Sequence, residues 1–193
     1  MTQAMSGGAS SAATAGTMMT GTEVFNEMID DQELLDSQYD VVAGRWANAP
    51  DEAVLVLSSR GTVGDYTLYS IGALDINELN DLVSSAMSAD GEVQTPETDA
   101  DFTYSDALSC NFKVLSPSDT YRKNDETGGW TDMSDDAEFM ASKVKDGLDL
   151  RIVGVVKPNG TGNSQALSPG VAYTHGLTCE LMARAAGSQI VRQ

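Results

Sequence analysis

Histidine, cysteine and proline are scarce in this chain: one, two and five among 193 residues. A single histidine, His175, cannot assemble a multi-histidine zinc site, and no His-Glu-x-x-His, paired Cys-x-x-Cys or Gly-x-Ser-x-Gly pattern accompanies it. His175 precedes Gly176 at a strand-to-helix junction, where a ring that hydrogen-bonds to backbone is the expected role. Basic residues are also few. Eleven Lys and Arg face 29 Asp and Glu, for a net charge of −18, and the first basic residue is Arg45. So acidic a surface repels phosphate backbones and anionic headgroups, which excludes nucleic acid as a partner. The amino terminus lacks the positive region of a secretory signal. No run approaches the roughly 18 apolar residues that span a bilayer; the longest, Ala53 to Leu57 and Ile152 to Val156, are strand-length.

Other chemistry is incomplete in the same way. Gly160-Thr161-Gly162 is too short for a phosphate-binding loop and lacks the lysine that should follow, while Asn159-Gly160-Thr161 matches a glycosylation sequon. Both read as turn chemistry. Asp99-Ala100-Asp101 and Asp132-Met133-Ser134-Asp135-Asp136 offer hard oxygen ligands without the spacing of a calcium loop, so a solvated loop and a helix start are expected there. Cys110 and Cys179 are compatible with one disulfide or with two free thiols. These absences argue against an enzyme, and no cofactor or metal is expected.

What is present is a packing pattern. Hydrophobic residues make up 41% and charged residues 21%, a globular balance over a length that buries one core. Residues 1 to 21 carry no charge and few bulky apolar groups, and are read as a mobile low-complexity tail; the folded domain is placed at 22 to 193. Short strands are expected at Tyr39 to Ala43, Glu52 to Leu57, Phe112 to Leu115, Leu148 to Lys157 and Val171 to Tyr173. Val24 to Met28 and Gln32 to Leu35 read as strand or helical turn, and Asp65 to Ile71 fits helix or strand. Asp75 to Met87 carries a capping box, Asp75 with Glu78, and an apolar face, and leads into an exposed acidic loop over 88 to 101. Further helices are expected at Ser134 to Lys145, acidic first and basic last, and at Thr178 to Ala186. The uneven alternation predicts an α+β domain, a mixed β-sheet with helices packed mainly on one face.

Against that frame, several segments in order resemble a family. Val24-Phe25-Asn26-Glu27-Met28-Ile29, then Gln38-Tyr39-Asp40-Val41-Val42-Ala43-Gly44-Arg45-Trp46 and Glu52-Ala53-Val54-Leu55-Val56-Leu57, are followed by Asp65-Tyr66-Thr67-Leu68-Tyr69, Phe112-Lys113-Val114-Leu115, Asp119-Thr120-Tyr121, Trp130, Ile152-Val153-Gly154-Val155-Val156 and Leu167-Ser168-Pro169-Gly170-Val171-Ala172-Tyr173-Thr174. This set is similar to the extracellular domain of MacB/FtsX-type ABC transporter permeases of Gram-positive bacteria, over about Thr22 to Gln193. Ala47 departs from it, standing where proline is usual after Gly-Arg-Trp. The resemblance implies a MacB-periplasmic-core-like fold on the extracellular face of the cell membrane, between the first two transmembrane helices of an FtsX-like permease. It implies a non-catalytic role, in which a cytoplasmic ATPase drives mechanotransmission that couples to export of a substrate or to a partner, including a second permease domain. The chain is then expected to be a piece of a longer membrane protein engaged in transmembrane transport.

Within that reading, Gly44, Arg45 and Trp46, with Asn159, Gly160, Pro169 and Gly170 in the loop from Pro158 to Gly170, are the candidate contact surface. The alternative is a secreted ligand- or carbohydrate-binding adhesion domain using Trp46, Trp130 and the tyrosines. A hydrolase working through acidic pairs ranks third.

Overall fold

The computed structural model describes residues 24–72, 102–160 and 165–192. The expected tail, the helix at 75 to 87 and the loop at 88 to 101 lie outside the described residues. Along the chain run β1 (Phe25–Glu27), α1 (Gln32–Gln38), β2 (Tyr39–Gly44), β3 (Glu52–Val56), α2 (Asp65–Ser70), α3 (Tyr104–Ser109), β4 (Asn111–Val114), a 3-10 turn (Pro117–Thr120), β5 (Tyr121–Lys123), β6 (Trp130–Asp132), α4 (Ala137–Lys145), β7 (Leu148–Pro158), β8 (Gly170–Tyr173) and α5 (His175–Gly187).

One long strand organises them. β7 pairs in parallel with β3 along one edge; along the other it pairs antiparallel first with β4 and then with β2. Beyond β3 come β8, antiparallel, and β1, parallel to β8, giving the order β1-β8-β3-β7-β2 with β4 beside the first part of β7. β5 and β6 form a separate two-stranded antiparallel sheet. The fold is α+β with a mixed sheet.

β3 has almost no polar side chain because it is covered on both faces, the situation that turns an alternating strand into a continuous apolar run. Ala53, Leu55 and Leu57 face one core with Leu68 of α2, Ala107 of α3 and Leu177 of α5. Val54 and Val56 face the other, with Leu35 of α1, Tyr39, Ala47 and Leu167. Three helices thus cover the first face and α1 the second. Each fully buried Leu or Val contributes on the order of 2 kcal/mol, so the twofold burial of this single strand makes it the centre of the stability.

Side-chain caps explain where α1, α3 and α4 start. Asp31 accepts the amide of Leu34 ahead of α1, and Thr103 with Asp106 closes a capping box on α3. α4 begins three residues later than its composition predicts, because Asp136 is the cap, accepting from Phe139 N at 2.9 Å, while Ser134 is held in a turn by Asp132. α5 begins three residues earlier, at His175. The ambiguous stretch at Asp65 is helical, as is the one at Gln32.

Candidate functional site

Gly44 takes a φ of +68°, and a Cβ there would lie 2.1 Å from the carbonyl oxygen of Val153. Facing it, a Cβ on Gly154 would lie 2.0 Å from the carbonyl oxygen of Arg45. The two glycines let β2 and β7 touch backbone to backbone, with Arg45 N donating to Val153 O at 3.0 Å. The Arg45 guanidinium then reaches Glu52 with both arms, Nη1 to Oε2 at 2.8 Å and Nη2 to Oε1 at 2.5 Å. Arg151 Nη2 donates to the same Oε1 at 3.2 Å and Asn48 N to Oε2 at 3.2 Å. Glu52 is only 2% exposed. Hydrogen bonding from Arg45 outweighs its desolvation and holds the carboxyl at about 2, so it stays ionised. The arrangement is a staple that closes the loop between β2 and β3.

Trp46 folds back the other way. Its ring meets Tyr39 edge-on, with centroids 6.3 Å apart, and its Nε1 donates to Asp36 at 2.9 Å. The Tyr39 hydroxyl accepts from Leu167 N at 2.7 Å and donates to Leu167 O at 3.0 Å, and burial pushes its pKa up, so it remains a neutral phenol. Asn159 N donates to Gln38 O, Asn159 Nδ2 to Ser37 O, and Ala166 N to Gln38 Oε1. Trp46 and Asn159 therefore lean on one short stretch, Asp36 to Tyr39. Gly160, at φ +78°, has nothing within 4 Å of an added Cβ among the described residues. Gly170 is placed elsewhere: it is buried at φ +141° where β8 meets Val24, whose carbonyl oxygen would lie 2.4 Å from a Cβ, and Pro169 beside it is exposed.

In the acidic cluster at 132 to 136, Asp132 is spent on Ser134 and Asp136 on the start of α4. Asp99 and Asp101 lie outside the described residues. Among the described residues, no group of three His, Cys, Asp or Glu side chains is arranged for a metal ion. Trp130 belongs to the two-stranded sheet and lines a cavity of about 300 Å3 with Tyr121, Arg122, Lys123, Phe139 and Lys143. Its Nε1 is buried with no hydrogen-bond partner among the described residues. Trp46 and Trp130 thus serve different parts of the fold.

The arrangement that sequence reasoning missed lies where β1 meets α5. His175 hydrogen-bonds through its side chain, not to backbone: Nδ1 is 2.7 Å from Glu27 Oε1. Thr178 Oγ1 donates to Glu27 Oε2 at 2.5 Å, and Cys179 Sγ lies 3.3 Å from His175 Nε2. Hydrogen bonds from Thr178 and then His175 hold the Glu27 carboxyl below its usual range. An ionised carboxylate only accepts, so Nδ1 carries the hydrogen in the neutral ring and Nε2 offers its lone pair to the thiol. Both cysteines are free, and Cys110 is unlike Cys179: its half-buried thiol donates to Asp106 O, and burial with the Asp106 charge raises its pKa. Nothing in the sequence advertises a pairing across 148 positions, except that His175 and Cys179 stand four apart on a helix and so share a face.

His175 also borders a cavity of about 280 Å3 lined by Met28, Leu35, Ala47, Asn48 and Pro50. Among the described residues, no helix is long and apolar enough to cross a membrane. Comparison with protein-family models, with curated proteins and with solved structures finds no match.

Proposed function

We propose that this chain is a non-catalytic extracellular domain of an FtsX-like, MacB-like ABC transporter permease, which couples ATP-driven movement of the intact transporter to export of a substrate or to a partner. The observation that carries this reading is how the resembling segments are used. Gly44-Arg45-Trp46 is tied down by its backbone contact with Gly154, by the Glu52 staple and by Tyr39, and Asn159 ties the far end of the same ladder to Gln38, so that β2 is fixed to β7 along its whole length and to β3 through Glu52. A domain that relays displacement needs such a stiffly held edge, backed here by the buried core of Tyr39, Val54 and Val156, since close-packed interiors transmit strain. On this reading the half-buried rim of Trp46 and Asn159, with exposed Gly160, meets the rest of the permease, a second permease domain or the cargo, and the cytoplasmic ATPase supplies the energy.

The test begins with the full reading frame, which is expected to continue into membrane-crossing helices on both sides. Calorimetry of the isolated chain with ATP and magnesium is expected to show no heat of binding. Tight nucleotide binding, or a parent protein without flanking membrane segments, would overturn the proposal. In the intact transporter, Trp46→Ala is expected to lower export and leave nucleotide binding by the ATPase unchanged.

A further inference from the structure

The two thiols invite opposite chemistry. Cys110 is half-buried and bonded to a backbone carbonyl. Cys179 is exposed on α5, and its sulfur stands against a ring nitrogen that the Glu27 contact turns into an acceptor. We propose that Cys179, His175 and Glu27 form a reactive-thiol site that undergoes exchange with low-molecular-weight disulfides, making Cys179 a place of reversible thiolation.

The order of the three groups gives each a task. His175 Nε2 takes the thiol proton as the sulfur attacks, and Glu27 stabilises the resulting imidazolium through Nδ1–H. Thr178 fixes the carboxylate from its other oxygen, so the ring cannot swing freely about β1. In the exchange, Cys179 Sγ attacks one sulfur of R–S–S–R; a Cys179–S–S–R bond forms as the R–S–S–R bond breaks. The departing thiolate leaves as R–SH with the proton that His175 held, so atoms and electrons balance without another reactant. The site does not depend on the transporter reading, because it needs only this chain and a disulfide.

The experiment uses the whole chain. Oxidised glutathione is added and the adduct located by mass spectrometry, while a chromogenic aryl disulfide gives the rate across pH. One adduct is expected on Cys179 before any on Cys110, and Cys179→Ser should abolish the fast phase. His175→Ala is expected to slow Cys179 about tenfold at neutral pH and to shift its pH–rate profile toward that of a simple thiol. Glu27→Gln keeps an acceptor for Nδ1 but removes the charge, and should slow it about threefold. A merely structural clamp would leave both profiles unchanged. Wild-type rates in both variants, or first reaction at Cys110, would overturn the proposal; because the two variants carry the same test, loss of folding in one leaves the other decisive.

Discussion

Two glutamates on strands of one sheet, with β8 between them, have opposite lives. Glu52 sits at the start of β3, 2% exposed, gripped by Arg45, Arg151 and the amide of Asn48. Glu27 ends the edge strand β1, open to solvent, and holds a histidine and a threonine. Both carboxyls lie below their ordinary range and both owe it chiefly to hydrogen bonds. Burial separates them. Where water is excluded, the charge has to be matched and the match becomes architecture; where water is admitted, the same bonds cost little to rearrange and are free to serve reactivity.

Changes around Glu52 should therefore be felt in stability, and changes around Glu27 in chemistry. The largest effect is expected for Gly154→Ala, since the new Cβ would meet the Arg45 carbonyl with only backbone on either side to give way. A loss above about 4 kcal/mol, or failure to accumulate folded protein, should appear in urea unfolding. Glu52→Gln comes next, at about 2 kcal/mol, because it leaves the Arg45 guanidinium without its anion and Arg151 with Asp51 alone. This difference depends on pH with a definite sign. The folded carboxyl titrates near 2 against 4.5 for the ordinary group, so its contribution is complete above 4.5 and disappears as pH falls toward 2. Unfolding curves of wild type and Glu52→Gln should converge over that window, and parallel curves would break the comparison.

Tyr39→Phe tests the middle ground. It strips Leu167 of both hydrogen-bond partners in a buried place and should cost about 1 to 3 kcal/mol, measured by the same unfolding. The smallest stability effect belongs to Glu27→Gln, whose unfolding midpoint should match wild type even as its thiol kinetics change. A large shift there would show that Glu27 is a structural residue and that the contrast with Glu52 is false.

Strands at Tyr39, Glu52, Leu148 and Val171 were legible because each is a short apolar run closed by glycine, proline or acid. The α4 helix was legible from its charge gradient, but its start was not, since Asp132, Asp135 and Asp136 all offer cap chemistry and only the turn at Ser134 selects among them. Asp65 to Ser70 carries too few residues to distinguish periods of two and 3.6. The staple was half-visible: Arg45 stood out, while burial of Glu52 follows from its place beside Arg151 of β7, which no local pattern encodes. The Glu27 and His175 pairing is a product of β1 docking on β8, and β1 is three residues long. Long-range pairings made by minimal strands leave almost no trace in a single sequence.

The register of β2 on β7 slips between Val41 and Ala43, so Val42 is an extra residue in the ladder. Val41 and Val42 are both exposed along the sheet's outer border. A flat border with two adjacent branched side chains would be an invitation for like molecules to zip together into aggregates. The inserted residue twists the border and interrupts its row of donors, while Asp40 adds repulsion between copies. Both features make β2, a border strand of this sheet, a poor template for pairing between copies.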